Sequence, residues 1–167
     1  MIALSISDIK GFMKLLLKSD SFDCFLLKEA ALQTNISYQM DGALHREFYT
    51  QEDFESDTSL REKYVSYANI RPILFDLIKG THTPLGFRVV LTLPEEDTAQ
   101  FLLRSGSGFQ VTDIGGFFFQ FRFKQGELVC TTGISYQTFS TNHLLDQEWD
   151  AYVTDFLESH DVSFQKG

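Results

Sequence analysis

Cysteine and proline are scarce in this sequence. Its two cysteines, Cys24 and Cys130, are too few for a disulfide framework or a cysteine-rich zinc site. Free buried thiols in a reducing compartment are therefore expected. Three prolines and the lack of any low-complexity stretch leave no candidate linker, and 43% hydrophobic residues suffice for a core. We expect one domain covering residues 1–167.

Basic residues are also few, 14 against 23 acidic ones, which gives a net charge of −9. A protein that binds nucleic acid needs lysine and arginine to displace counterions from phosphates, and no basic run of that kind is present. The same shortage disfavours binding to an anionic membrane surface. We therefore expect neither nucleic acid nor membrane as a direct partner.

Long hydrophobic runs are missing as well. Strictly apolar runs such as Leu15–Leu17 are far too short to cross a membrane. Residues 1–10 lack the basic and apolar regions of a signal peptide. The predicted location is the cytoplasm.

Four segments are predicted to be helices. Each has either apolar residues at the spacing of one helical face or residues typical of a helix start. They run from about Ser7 to Lys18, Asn69 to Lys79, Pro94 to Arg104 and Asp146 to His160. Ser7 and Asp146 are the predicted caps of the first and last helices. Pro72 is placed in the first turn of the second, where its missing N–H costs nothing.

Over residues 30–40, mostly apolar side chains at even positions alternate with mostly polar side chains at odd positions. This period of two predicts one continuous strand, although the first residues also have some helical propensity. Asp41 and Gly42 then predict a hairpin turn. A two-residue loop would pair Ile36 with Glu47. A three-residue loop pairs Ile36 with Phe48 and keeps the apolar residues on one face, so we prefer it.

Phenylalanine is abundant, with 17 residues, and four of them alternate in one strand. The turn at Gln125-Gly126 predicts a hairpin that pairs Lys124 with Glu127 and sets Phe117, Phe119, Phe121 and Phe123 on one face. A further strand is predicted at 85–93, and a short one at 109–112. The order of elements predicts an α+β fold: an antiparallel sheet with amphipathic helices packed on one face.

Residues 9–18 and 70–79 resemble each other, and each leads into a predicted strand. Chance similarity of two amphipathic helices and a true duplication both explain this. A duplicated unit of helix and strands would resemble the half-domains of sliding clamps.

No motif in the chain completes a known site. Asp53–Asp57 imitates a calcium loop, but Thr58 and Tyr64 replace its glycine and its bidentate glutamate, which predicts a solvated acidic loop over 50–59. Gly106-Ser107-Gly108 lacks the third glycine and the lysine of a phosphate-binding loop. We therefore expect no metal and no cofactor.

The candidates for a site assembled in space are His45, Glu47, Arg71 and His82. His45 and Glu47 would share one face of the predicted strand, where they form either a solvated pair or part of a pocket. Cys130 with His143 as its base is the remaining pair, but an apolar setting opposite Phe121 favours an inert thiol.

Two surfaces are candidates for contact with a partner. The last helix carries four acidic residues, Glu148, Asp150, Asp155 and Glu158, and no lysine or arginine occurs from 144 to 165. This pattern indicates either a solvated face or a docking site for a basic protein. Phe118 and Phe139 belong either to the core or to an exposed apolar patch.

The chain resembles a family of intracellular proteins from gut Clostridia known as a domain of unknown function. The resemblance covers nearly the whole chain and is carried by Phe22-Asp23, Phe25-Leu26-Leu27, Glu29-Ala30, Asp41-Gly42, Arg71-Pro72, residues 77–80, Thr83-Pro84-Leu85, Phe87 and residues 130–133. It implies a cytoplasmic protein with a single domain, and it transfers no functional residues.

These observations favour a non-catalytic binding or scaffolding protein whose partner is another protein or a second copy of the chain. A small enzyme with a site assembled from dispersed polar residues, and a clamp-like interaction module, are the alternatives. A pocket that gathers two or more of the four candidate residues would favour the enzyme.

Overall fold

One antiparallel sheet organises the chain, and the computed structural model describes all of residues 1–167. Its eight strands are β1 (Ala3–Ile6), β2 (Leu26–Gln33), β3 (Ser37–Asp41), β4 (Val65–Ser66), β5 (Gly86–Thr92), β6 (Ile114–Lys124), β7 (Glu127–Tyr136) and β8 (Phe164–Lys166). The spatial order is β3-β2-β5-β6-β7-β1-β8, and β4 pairs with β2 beside this path.

Five α-helices complete the fold: α1 (Ile9–Lys18), α2 (Gln51–Ser56), α3 (Tyr67–Ile78), α4 (Glu95–Ser105) and α5 (Leu144–Ser159). Short 3-10 helices lie at Arg46–Phe48, Thr58–Arg61 and Val111–Asp113. The predicted α+β class and the antiparallel sheet are confirmed. None of the helices combines the length and the apolar character that a membrane crossing requires.

The core lies between one face of the sheet and the helices. Phe117, Phe119, Phe121 and Phe123 of β6 are all buried, as the alternation predicts. Phe12 of α1 packs on Phe121, and Trp149 of α5 packs on Phe117. Because every second residue of a strand points to the other side, the opposite face of β6 carries Phe118, Gln120, Arg122 and Lys124. We call this second side of the sheet the open face.

The β6–β7 hairpin has the predicted register, with Lys124 opposite Glu127 and Phe121 opposite Cys130. The strand predicted at 85–93 is also present, as β5. Leu85 precedes it and is 72% exposed, which removes it from the predicted apolar face.

The continuous strand predicted over residues 30–40 is wrong. The chain turns at residues 34–36, and β2 and β3 pair with each other, Ala30 opposite Met40 and Leu32 opposite Tyr38. The hairpin predicted at Asp41-Gly42 is therefore absent, and Ile36 does not pair with Phe48. The three-residue turn pairs even-numbered residues of β2 with even-numbered residues of β3. The even-numbered side chains therefore stay on one face of the sheet, as they would in one continuous strand.

Several predicted ends and caps also differ. Asp8, and not Ser7, caps α1, and α5 begins at Leu144 after His143, before the predicted cap Asp146. Helix α3 begins at Tyr67 and not at Asn69, because it directly follows β4, which pairs with β2. Pro72 consequently lies inside α3, where it has no N–H to donate to the preceding turn.

Two segments expected to be a loop or a strand are helical. Thr50 and Asp53 form a reciprocal capping box, in which Asp53 accepts a 2.8 Å hydrogen bond from the amide of Thr50, and α2 follows within the predicted acidic loop. The strand expected at 109–112 is replaced by the 3-10 helix Val111–Asp113, which begins with a similar reciprocal cap at Gln110.

The two similar segments, 9–18 and 70–79, have similar surroundings. Seven residues, 19–25 and 79–85, separate α1 from β2 and α3 from β5. The two strands that follow are neighbours in the sheet and run antiparallel. A duplication stays a prediction, because equal spacing also follows from packing two helices on adjacent strands.

Candidate functional site

Helix α1 has one buried and one exposed side. Asp8 starts the helix by accepting a 2.9 Å hydrogen bond from the amide of Gly11. Phe12, Leu16 and Leu17 are buried. Three exposed lysines, each four residues from the next, lie on the other side of the helix: Lys10, Lys14 and Lys18. Since four residues make slightly more than one turn, these lysines form a row along the whole helix.

A groove of about 510 Å³ runs beside this row. Its opposite wall consists of Phe75 and Ile78 at the end of α3 and of the loop 80–84. Its floor is formed by Phe87 and Phe123, whose rings stack at 5.5 Å with an angle of 17° between their planes. The groove therefore combines an apolar floor with a cationic rim.

No acidic side chain lines this groove. None of its three lysines belongs to the five ion pairs of the structure. The ammonium of Lys18 lies 5.6 Å from the centre of the Phe75 ring, which places one cation across the groove toward α3. In a chain with a net charge of −9, this is a local region of opposite sign.

The four candidate site residues lie in different places. His45 precedes the 3-10 helix that contains Glu47, and both are exposed and outside any strand. Arg71 is held by Asp23 through two hydrogen bonds of 2.9 Å, and this partner raises the pKa of the guanidinium further. His82 alone lines the groove.

The thiol of Cys130 is enclosed by the core, and burial raises its pKa to about 12. His143 is exposed and lies 3.6 Å from the carboxylate of Asp146, not beside a nucleophile. Cys24 is exposed, contrary to the expectation that both thiols are buried. No three side chains of His, Cys, Asp or Glu come together in a way that could hold a metal ion.

The acidic face of α5 is smaller than predicted. Asp150 accepts a short hydrogen bond from the buried hydroxyl of Thr132, so this carboxylate ties α5 to β7. Glu148, Asp155 and Glu158 remain exposed. Docking of a basic protein there stays a prediction.

The two phenylalanines of the expected apolar patch differ from each other. Phe139 is 93% exposed. Phe118 is half-buried on the open face, where the ammonium of Lys28 lies 4.6 Å from the centre of its ring. The two therefore do not both offer a free apolar surface.

The groove is not predictable from the sequence. The spacing of Lys10, Lys14 and Lys18 was available as a signal, but a row of lysines on an amphipathic helix is also typical of a solvated face. Only the positions of Phe87 and Phe123, which come from distant parts of the chain, turn this row into the rim of a groove.

Comparison with known proteins gives a family without an assigned activity. No curated protein and no solved structure matches the chain. The family model DUF5721, described as a family of unknown function, matches residues 14–165, nearly the entire chain. The chain belongs to the family of unknown function DUF5721.

Proposed function

We propose that this protein is a non-catalytic binding protein of the cytoplasm and that its groove binds an anionic amphiphile, a carboxylic acid with one slim apolar body. The observation that carries the proposal is the row of unpaired lysines along an apolar-floored groove. Two free cysteines, one of them exposed, fit a reducing compartment.

The dimensions of the groove favour a slim ligand. It follows the ten residues of α1, a length of about 15 Å at 1.5 Å per residue. A volume of about 510 Å³ over that length is within the range of small-molecule sites and accommodates an acyl chain or a flat ring.

The charge of the groove favours an anion. A carboxylate near Lys14 would meet one ammonium directly and two more within one helical turn on either side. The apolar body would cover Phe87, Phe123 and the half-exposed Met13, which gains the free energy of removing these surfaces from water. A neutral amphiphile lacks the first contribution, and a purely polar anion lacks the second.

Dodecanoate is a suitable probe, measured by isothermal titration calorimetry. We expect saturable binding of one molecule per chain, and clearly weaker binding of 1-dodecanol, which has the same chain without the charge. Lys14→Gln should weaken dodecanoate binding about tenfold, because it removes one charged partner. Lys166→Gln, on the distant strand β8, is the matched control and should bind as the parent protein does.

A second variant tests the apolar part of the groove. Met13→Trp should fill the space over Phe87 and abolish binding, with thermal unfolding measured to show that the variant is folded. Equal binding by the Lys14→Gln and parent proteins, or equal affinity for dodecanol and dodecanoate, would overturn the proposal.

A further inference from the structure

The open face of the sheet carries a second cationic site, whose charged residues are different from those of the groove. Arg88 of β5 and Arg122 of β6 are directly opposite each other in the antiparallel register. Like charges in this position repel each other and destabilise a sheet. Lys124, two residues beyond Arg122 and therefore on the same face, adds a third cation.

The backbone register leaves a hollow between these side chains. Gly86 lies opposite Lys124 on one side and opposite Gln33 of β2 on the other. Because Gly86 has no side chain, the sheet surface is lowered at this point. A pocket of about 400 Å³ results, to which Gln120 adds a second side-chain amide.

The positive charge of this pocket is largely uncompensated. Arg88 forms an ion pair of 3.1 Å with Glu29, but Arg122 and Lys124 belong to none of the five ion pairs of the structure. Lys124 forms no ion pair even with Glu127, its partner in the hairpin register. No acidic residue lines the pocket.

We propose that Arg88, Arg122 and Lys124 form a binding site for a small organic phosphate or diphosphate. Guanidinium groups donate paired hydrogen bonds to phosphate oxygens, and two opposed arginines can hold a diphosphate from both sides. The side-chain amide of Gln33 provides further donors for the remaining oxygens, and that of Gln120, which already donates one hydrogen bond of 2.9 Å to the hydroxyl of Thr131, keeps one N–H. Bound phosphate would also remove the repulsion between the two guanidinium groups.

The site differs from the groove in the ligand it fits. Phe87 and Phe123 border both pockets, but strand alternation directs their side chains to the core side, so the open-face pocket offers mainly the polar side chains that point the other way. It therefore suits a compact polyanion, such as a sugar phosphate, rather than an amphiphile. The proposal does not depend on the function of the groove.

Inorganic pyrophosphate is the probe, titrated into the full-length protein at low ionic strength by calorimetry. We expect saturable binding at one site, weakened about tenfold in Arg122→Gln, since a charge-assisted hydrogen-bonding partner is lost. Arg104→Gln on α4 makes the same change of charge at an exposed position outside the pocket and should bind as the parent protein does. Arg122 is exposed and its replacement also removes the repulsion from Arg88, so the thermal unfolding temperature should not fall.

Two further titrations separate the alternatives. Citrate carries a similar charge on carboxylates, and equal binding of citrate and pyrophosphate would overturn the assignment to phosphate. Lys14→Gln should leave pyrophosphate binding intact; if it weakens binding while Arg122→Gln does not, the anion binds in the groove and the proposal is wrong. Absence of saturable binding by the parent protein would also overturn it.

Discussion

The hydroxyl of Tyr67 donates a 2.8 Å hydrogen bond to the carbonyl of Leu16, 51 residues away in the sequence. Leu16 lies in the last turn of α1, where backbone carbonyls have no partner within the helix. Tyr67 is fully buried at the start of α3. This bond therefore satisfies one of the free carbonyls at the end of α1 and links the two helices that form the walls of the groove.

Removal of this hydroxyl should destabilise the fold. Tyr67→Phe leaves the Leu16 carbonyl buried without its donor, and we expect the free energy of unfolding to fall by about 1–2 kcal/mol. Urea denaturation measures the change. Tyr152→Phe is the matched control, because this half-buried tyrosine makes no side-chain hydrogen bond in the structure, and it should change stability less. Equal losses in both variants would contradict the importance of the bond.

The paired hydrogen bonds between Arg71 and Asp23 predict a structural role for Arg71. Both side chains are 22% exposed, and Arg71→Lys keeps the charge but cannot form the two parallel bonds. We expect a loss of about 0.5–1 kcal/mol in unfolding free energy and unchanged binding of dodecanoate. The exposed pair Lys79–Asp76 provides the control, since Asp76→Asn should have no measurable effect. Loss of binding at unchanged stability would show instead that Arg71 belongs to a functional site.

The two thiols should differ sharply in reactivity. Cys24 is exposed, although partial burial of its sulfur raises the pKa of its thiol, whereas Cys130 is enclosed in the core with its pKa raised to about 12 by burial. A disulfide reagent at pH 8 should therefore modify one thiol per folded chain and two per unfolded chain. Cys24→Ser should abolish the reaction of the folded protein. Rapid modification of Cys130 in that variant would contradict the enclosed core.

Stability should decline at alkaline pH. Burial, together with the carboxylate of Asp146 at 3.1 Å, raises the pKa of Tyr136 from 10.0 to about 12. The folded state therefore retains this proton longer than the unfolded state. The stabilisation is complete below pH 10 and is lost as the pH rises from 10 toward 12.

Denaturation in urea at pH 9, 10 and 11 tests this dependence. The decline should be shallower in Tyr136→Phe, which has no proton to lose. The parent protein should therefore exceed the variant most at neutral pH, and this difference should narrow as the pH rises above 10. An identical slope in the variant and the parent protein would contradict the raised pKa.

The β6–β7 hairpin shows what local pattern can predict. Its turn residues, its alternating phenylalanines and the pairing of Lys124 with Glu127 all require the same register, and that register is observed. Residues 30–40 show the opposite case. Alternation determines which face each side chain occupies, but a turn of three residues leaves that assignment unchanged, so the pattern could not reveal that β2 folds back onto β3.

The proposed binding sites likewise combine features that local sequence predicts with features that it does not. The sequence alone determined the class of the fold, the helix stripes, the buried side of β6 and the small number of basic residues, because these depend on periodicity and composition. Only the tertiary structure decided that Lys14 borders the floor of Phe87 and Phe123, and that Arg88 lies opposite Arg122. Such neighbours are separated by tens of residues in the chain, and strand order and register, which bring them together, depend on the packing of the whole core.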